Sequence, residues 1–358
     1  MTFRRILLVL VMAGGVAGGV ALGGAYVLLR PYQGYAGEVF VDIHRGAGTP
    51  EMSAQLSDAG VLRSKWPFLA ARALRPRSVL KAGEYRFDRP LSPWEVYRKI
   101  ASGDVFYYSV TIPEGFNLSE IADVVARTGI ITREEFLLAA RQGGRVADLA
   151  PKLPTLEGLL FPDTYRFNRH TTAEELVGQM LQRFRRVWSE VSSGHPAPDS
   201  VLETVTLASL VEKETPVASE RPTVASVFRN RLRLGMPLQC DPTVIYALEL
   251  AGRYRGQLLK DDLAVQSPYN TYARAGLPPG PIASPGRASL AAALEPAATD
   301  YLYFVADNHG GHTFSASLEG HSEAVARYRR QNGRRKAAAK APVKAKKSTV
   351  KAENARPR

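Results

Sequence analysis

The alternation of apolar and polar positions starts late in this chain. Residues 6–29 form an uncharged run with no alternation, bracketed by Arg4 and Arg5 before it and Arg30 after it. At 1.5 Å per residue its 24 positions are long enough to cross a hydrocarbon core of ~30 Å. Its many glycines are tolerated in a membrane helix, where lipid does not compete for backbone hydrogen bonds. A cleaved signal peptide is the alternative, kept open by Ala21 and Ala25, but the run exceeds the usual apolar core of such peptides.

Patterned sequence follows. Residues 41–72 superimpose on 110–141 at a constant offset of 69: Val41 on Val110, Ile43 on Ile112, Gly46 on Gly115, Glu51 on Glu120 and Gly60 on Gly129. Each copy predicts a short alternating strand, a glycine turn, an amphipathic helix, a glycine stop and a second helix. Leu118, Ile121, Val124 and Val125 form one stripe, capped by Asn117 or Ser119. Between the copies, 82–87 reads as a strand and Ser92 caps a helix carrying Val96, Tyr97 and Ile100.

Beyond residue 150 the pattern predicts a loop around Glu157 and a helix over 172–191. A second helix starts at Asp199 or Ser200 and runs into the Glu212-Lys213-Glu214-Thr215-Pro216 segment. Further on come a loop ending in a helix start, capped by Asp241, and a hairpin joining 302–306 to 311–315. The whole reads as an α+β chain with four parts. These are a stub and transmembrane anchor (1–30), a repeated β/α module (36–149), a chemical domain (150–332) and a disordered basic tail (333–358).

Charge supports that division. The net charge of +13 on 358 residues suggests nucleic-acid binding until it is located. Ten Lys or Arg and one acid between 334 and 358 place +9 in the tail and leave +4 for the rest. That tail cannot bury a core; it suits anionic headgroups or polymers, or serves as a solubilising extension. With Arg4 and Arg5 cytoplasmic, everything after Arg30 lies outside the cell membrane, which argues against a nucleic-acid partner. The lone Cys240 excludes an intramolecular disulfide and a cysteine-clustered metal site. His309 and His312 lack companion ligands, so neither metal nor cofactor is expected.

What remains for chemistry is isolated carboxylates among neutral polar and aromatic side chains, which points to glycosidic bonds. Glu214, beside Pro216, lies at a helical C-terminus, where the macrodipole favours a protonated acid. Glu212 and Glu214 project about 200° apart on a helix. Periodicity does not choose between them: Glu214 extends the stripe of Leu207 and Leu210, Glu212 that of Val201 and Val205. Either could equally be a buried carboxylate paired with Arg229 or Arg231. The 267–272 segment, with Tyr269, Asn270 and Thr271, offers stacking faces and uncharged hydrogen bonds suited to sugars. The 276–286 segment, rich in Gly and Pro, is too long and rigid for an idle linker.

These stretches resemble the MltG-type (YceG-like) endolytic murein transglycosylases. The resemblance is carried by EGLLFPDTYRF (157–167), LASLVEKET (207–215), ASERPTVASVFRNRLRLGMPLQCDPTVIYAL (218–248), SPYNTYARAGLPPGPIASPG (267–286) and YLYFVADNHGGHTF (301–314). It implies cleavage of MurNAc–GlcNAc β-1,4 bonds within peptidoglycan strands, leaving 1,6-anhydro-MurNAc ends. It implies Glu214 as the catalytic acid/base and a place beside cell-wall synthesis proteins at the inner membrane. The repeated strand–helix–helix units are of a size that resembles LysM-like glycan-binding modules, a packing platform being the alternative. Glu157, Glu212, Gln239, Asp241, Tyr269, Asn270, Thr271 and His312 are the candidate substrate contacts. Cys240 stands where such proteins often carry Thr.

Overall fold

The apolar run folds as one helix, α1 (Thr2–Leu29), in a computed structural model that describes residues 2–149, 153–195 and 200–340. Its 20-residue stretch Leu10–Leu29 is long and apolar enough to cross a membrane, with a mean hydropathy of 1.7 and no burial inside the protein. In chain order there follow β1 (Val39–Ile43), α2 (Thr49–Asp58), α3 (Trp66–Leu74), β2 (Gly83–Phe87) and α4 (Pro93–Ser102). Next come β3 (Tyr108–Thr111), α5 (Leu118–Ala126), α6 (Arg133–Ala140), β4 (Thr164–Phe167) and α7 (Ala173–Ser192). The last group is α8 (Val201–Glu214), α9 (Arg221–Arg233), α10 (Asp241–Leu250), α11 (Arg287–Leu294), β5 (Tyr303–Ala306), β6 (His312–Ser315) and α12 (Leu318–Lys340).

The chain divides into two compact units. One comprises Met1–Thr111, Val124–Thr132 and Thr164–Leu176; the other comprises Ile112–Asp123, Arg133–Asp163 and Val177–Arg358. The division does not follow a single break at 149/150. The reason is pairing: β3 finds its antiparallel partner in β4, across more than 50 residues (Val110 opposite Tyr165).

In the first unit, β1 and β2 pair antiparallel, with Val41 opposite Tyr85. Their inward side chains, Val41, Ile43, Tyr85 and Phe87, bury against Leu56, Phe68, Val96 and Ile100 of the surrounding helices. Each fully buried side chain of this size contributes about 1.5–3 kcal/mol. Ser92 and Glu95 form a reciprocal capping box at the start of α4, and Gly103 closes that helix at φ 72°. Asp42 and Glu84 face each other across the strands, a repulsive pair. Two consecutive partners take up these carboxylates, the Arg169 guanidinium Glu84 and the His170 ring Asp42, each at 2.6 Å.

In the second unit, α8 is buried from Thr204 to Val211 and packs against α9, α10 and α11. A helix enclosed on all sides shows little amphipathic contrast, which explains why its two stripes were equivalent in sequence. Ser200 caps it by accepting from the Glu203 N–H; the alternative cap, Asp199, lies outside the described residues. The helix stops at Glu214 because Thr215, preceding Pro216, is extended at φ −135°, ψ 128°. The 276–286 segment is a strap buried from Gly280 onward: the Ile282 N–H donates to Ser209 Oγ and the Gly286 N–H to Glu212.

The tail departs from expectation at its start. α12 continues eight residues beyond Asn332, to Lys340, because Arg, Lys and Ala are strong helix formers that prolong an existing helix. The rest of the expected tail, 341–358, lies outside the described residues.

Candidate active site

Two residues apart at the end of α8, Glu212 and Glu214 have opposite fates. Glu212 is locked in the interior: one oxygen pairs with Arg221 at 2.9 Å and the other accepts the Gly286 N–H at 2.9 Å. Its side chain is only 6 % exposed. The expectation that Glu212 contacts substrate therefore gives way to a structural role, with Arg221 rather than Arg229 or Arg231 as its partner. Arg229 donates to the Ala293 carbonyl. Arg231 spends its guanidinium on the carbonyls of Leu302 and Leu238, at 2.7 and 2.9 Å.

Glu214 is half-buried, and among the described residues no salt bridge to it is found. Burial of its carboxyl pushes the pKa up; the Cys240 thiol donates a hydrogen bond that pulls it down. Nearby Asp241 raises it further, while His312 and Arg231 lower it, and the net position is above the ordinary value. A carboxyl so placed is fitted to donate a proton.

The loop that brings Cys240 here is held at both sides. Arg231 grips the Pro237 and Leu238 carbonyls, Gln239 adopts the left-handed φ of 51°, and the Cys240 N–H donates to Thr271 Oγ1 at 3.0 Å. Cys240, not Asp241, occupies the cap position of α10. Asp241 is the first helical residue and exposed; one oxygen accepts from the Tyr272 hydroxyl. Gln239 is exposed beside it. His312 reaches the same neighbourhood from β6, its ring donating through Nδ1 to Glu220 at 2.7 Å.

Other expected contacts fall elsewhere. Asn270 is fully buried and its amide donates to the Leu263 and Val265 carbonyls. Thr271, 2 % exposed, binds Thr243 and the Cys240 N–H. Both shape the loop instead of touching a sugar. Glu157 is likewise interior: it accepts from the Leu118 N–H at the start of α5 and from the Tyr246 hydroxyl at 3.0 Å. Burial pushes its pKa up to about 7. Gly158 follows at φ 76°, where a Cβ would meet Pro281 at 2.3 Å, so glycine is required on two grounds. Tyr269 packs edge-on against Tyr246, at 4.9 Å between ring centroids, and so joins the Glu157 cluster.

Sequence reasoning missed Glu220 and Tyr272, although Tyr272 lay within a flagged segment. Glu220 gave no signal because its partner His312 is 92 residues away. Among the described residues, no group of three or more His, Cys, Asp or Glu is arranged to hold a metal. A cavity of about 800 Å³ lies along the N-terminal half of α8, between Ser200, Thr204 and Leu207 on one side and Arg229 and Pro278 on the other. None of the residues around Glu214 lines it.

The YceG-like family model matches residues 41–327. The chain belongs to that family. It is similar to a Bacillus subtilis (strain 168) protein named endolytic murein transglycosylase, 33% identical over 329 residues, covering 86% of this chain and 91% of the relative. A Streptococcus pneumoniae (serotype 2, strain D39) protein of the same name is 31% identical over 322 residues. That alignment covers 81% of this chain and 58% of the longer relative. Among solved structures, the yceG-like protein lmo1499 from Listeria monocytogenes superposes with a TM-score of 0.52 at 32% identity. It covers 81% of this chain and 99% of that one.

Proposed function

We propose that this chain is an endolytic lytic transglycosylase that cuts peptidoglycan glycan strands, with Glu214 as its acid/base. The relatives' names supply the activity. The observation that carries the residue assignment is the contrast at the end of α8: Glu212 is consumed by Arg221 and Gly286, whereas Glu214 is raised and, among the described residues, in no ion pair.

Protonated Glu214 gives its proton to the glycosidic oxygen as the C1–O bond of MurNAc breaks. The same sugar's C6 oxygen then bonds to C1, and the C6 hydroxyl proton passes to the Glu214 carboxylate. Atoms balance without water: the products are a free 4-hydroxyl on GlcNAc and a 1,6-anhydro-MurNAc end, and Glu214 returns protonated. An intramolecular nucleophile gains from high effective molarity and dispenses with a second carboxylate. Gln239, Asp241 and His312, all near Glu214 and none fully buried, are the residues that hold the sugars.

The α1 helix anchors the enzyme in the cell membrane, with Arg4 and Arg5 cytoplasmic and the catalytic part outside. The strand–helix–helix stretches of 41–72 and 110–141 form a LysM-like glycan-binding module; the strand of each is paired with an antiparallel one, β2 or β4. The anchor places cutting close to the membrane, where newly made strands and the proteins that synthesise them are found.

The test incubates the full chain in detergent with isolated peptidoglycan and weighs the new ends. Anhydro ends, lighter than reducing ends by one water, that disappear in Glu214→Gln support the proposal. Reducing ends would indicate a hydrolase using Asp241 as its second carboxylate. Undiminished cutting by Glu214→Gln would overturn the assignment.

A further inference from the structure

Glu220 lies in a short 3₁₀ turn (Ala218–Glu220) just beyond the catalytic helix, and three donors converge on it. The His312 backbone N–H reaches Oε1 at 2.8 Å; the His312 Nδ1 reaches Oε2 at 2.7 Å, and the Thr215 hydroxyl reaches the same oxygen at 3.2 Å. Thr215 is the residue after Glu214. A carboxylate can only accept, so Nδ1 carries a proton toward Glu220, and Nε2 lies on the opposite side of the ring. The ring is further fixed edge-on to Phe304, at 5.4 Å between centroids.

The hairpin is built to make this contact. Asp307 Oδ1 accepts from the N–H groups of His309 and Gly311, which closes the turn. A Cβ at Gly311 would sit 2.6 Å from Glu220 Oε1. A side chain there would push the Glu220 carboxylate aside, and glycine leaves it in place for the next residue to bond twice to it. Burial pushes the Glu220 carboxyl up, but the ring and backbone hydrogen bonds from His312 outweigh it and hold it below its ordinary value.

A residue that must serve first as acid and then as base needs its two forms close in energy. Around Glu214, burial and the charge of Asp241 from α10 favour the protonated form. The Cys240 thiol, His312 from β6 and Arg231 from α9 favour the ionised one. Tyr272, bonded to Asp241, completes the titratable groups there. On His312, the facing carboxylates are Glu220 and Glu214. Resting on the catalytic reading of Glu214, we infer that Glu220 is a positioning residue for the reaction: it fixes the His312 ring beside Glu214, so that the imidazole supports the carboxylate left after proton donation. The arrangement follows the general logic by which a buried carboxylate sets the tautomer and direction of a histidine.

The experiment follows kcat and KM against pH for the full chain in detergent, acting on isolated glycan strands. Without an oriented imidazole, Glu214 is a weaker acid. In Glu220→Gln and His312→Asn, kcat should therefore fall about tenfold or more; KM should change little in Glu220→Gln and rise in His312→Asn, which also loses a contact to the sugar. The descending limb of kcat/KM, where Glu214 loses its proton, should move to higher pH. The double variant should be no worse than the more damaging single one, as for residues acting as one unit. His312→Asn keeps a donor near the Nδ1 position, so it decides the matter if Glu220→Gln unfolds the hairpin. Wild-type rates in both variants, or a loss with an unmoved limb, would overturn the inference. Either result leaves the catalytic reading intact so long as anhydro ends still vanish in Glu214→Gln.

Discussion

Two glutamates of the larger unit, Glu157 and Glu214, are both pushed above the ordinary carboxylate range by burial, yet their surroundings differ in kind. Glu157 is 5 % exposed, and its partners are the first N–H of a helix and a tyrosine hydroxyl locked in the core. Glu214 is partly exposed, with one thiol donor and neighbours of both signs around it. A raised carboxyl is therefore not in itself the mark of chemistry. What separates the two is the greater exposure of Glu214, together with neighbours of both signs beside it, where Glu157 feels only the like charge of Glu120.

The largest expected effect tests that separation directly. Glu214→Gln should reduce strand cleavage by about 10³-fold or more while the melting temperature holds. Glu157→Gln should leave the rate per folded molecule nearly unchanged. Measuring both on the same peptidoglycan preparation would sink the distinction if Glu157→Gln proved the more damaging.

Glu212 sharpens the contrast from the structural side. Glu212→Ala strands Arg221, which is 10 % exposed, and leaves the Gly286 N–H unpaired. Removing one partner of a buried pair costs about 3–5 kcal/mol; Glu114, 3.7 Å from Arg221, offsets part of this. Denaturant titration should thus show a loss of about 3 kcal/mol, with the pH dependence of the residual activity unmoved.

A third test turns on proton linkage at Glu157. Its pKa rises from 4.5 to about 7 on folding, so the folded state holds the proton more tightly than the unfolded chain. The group adds stability below about pH 4.5 and withdraws it as the pH rises towards 7, by about 3 kcal/mol at most. Glu157→Gln lacks that titration. Wild type should lose stability relative to Glu157→Gln between pH 5 and 7.5; parallel curves would mean that Glu157 does not titrate in this range.

Much of the scaffold was legible from local pattern. The strand alternation at Val41 and Ile43, the Ser92 cap, the stop before Pro216 and the hairpin around Gly310 are decided by neighbours in sequence. The site was less so. The two stripes of α8 were indistinguishable because the helix is enclosed; only Arg221 and Gly286 reveal which glutamate is spent. Asn270 and Thr271 looked like sugar contacts because amide and hydroxyl groups suit sugars, but those groups satisfy buried loop backbone equally well. Glu220 was invisible because its role depends on a residue delivered by a distant hairpin. Long-range pairing, not composition, is what sequence pattern withheld.

The smallest expected effect applies the same chemical change to both glutamates. Cys240 is buried with its thiol pushed well up, so it stays protonated and serves as a donor to Glu214. Cys240→Ala removes that donor, destabilises the carboxylate and should move the descending limb of kcat/KM to higher pH by about half a unit to one unit. Cys240→Thr restores a donor and should return the limb to the wild-type position or slightly below it. Tyr246→Phe removes the corresponding donor from Glu157, and its effect should appear in the pH dependence of unfolding with the rate profile unmoved. If Tyr246→Phe shifts the rate profile and Cys240→Ala does not, the two glutamates have been assigned the wrong way round.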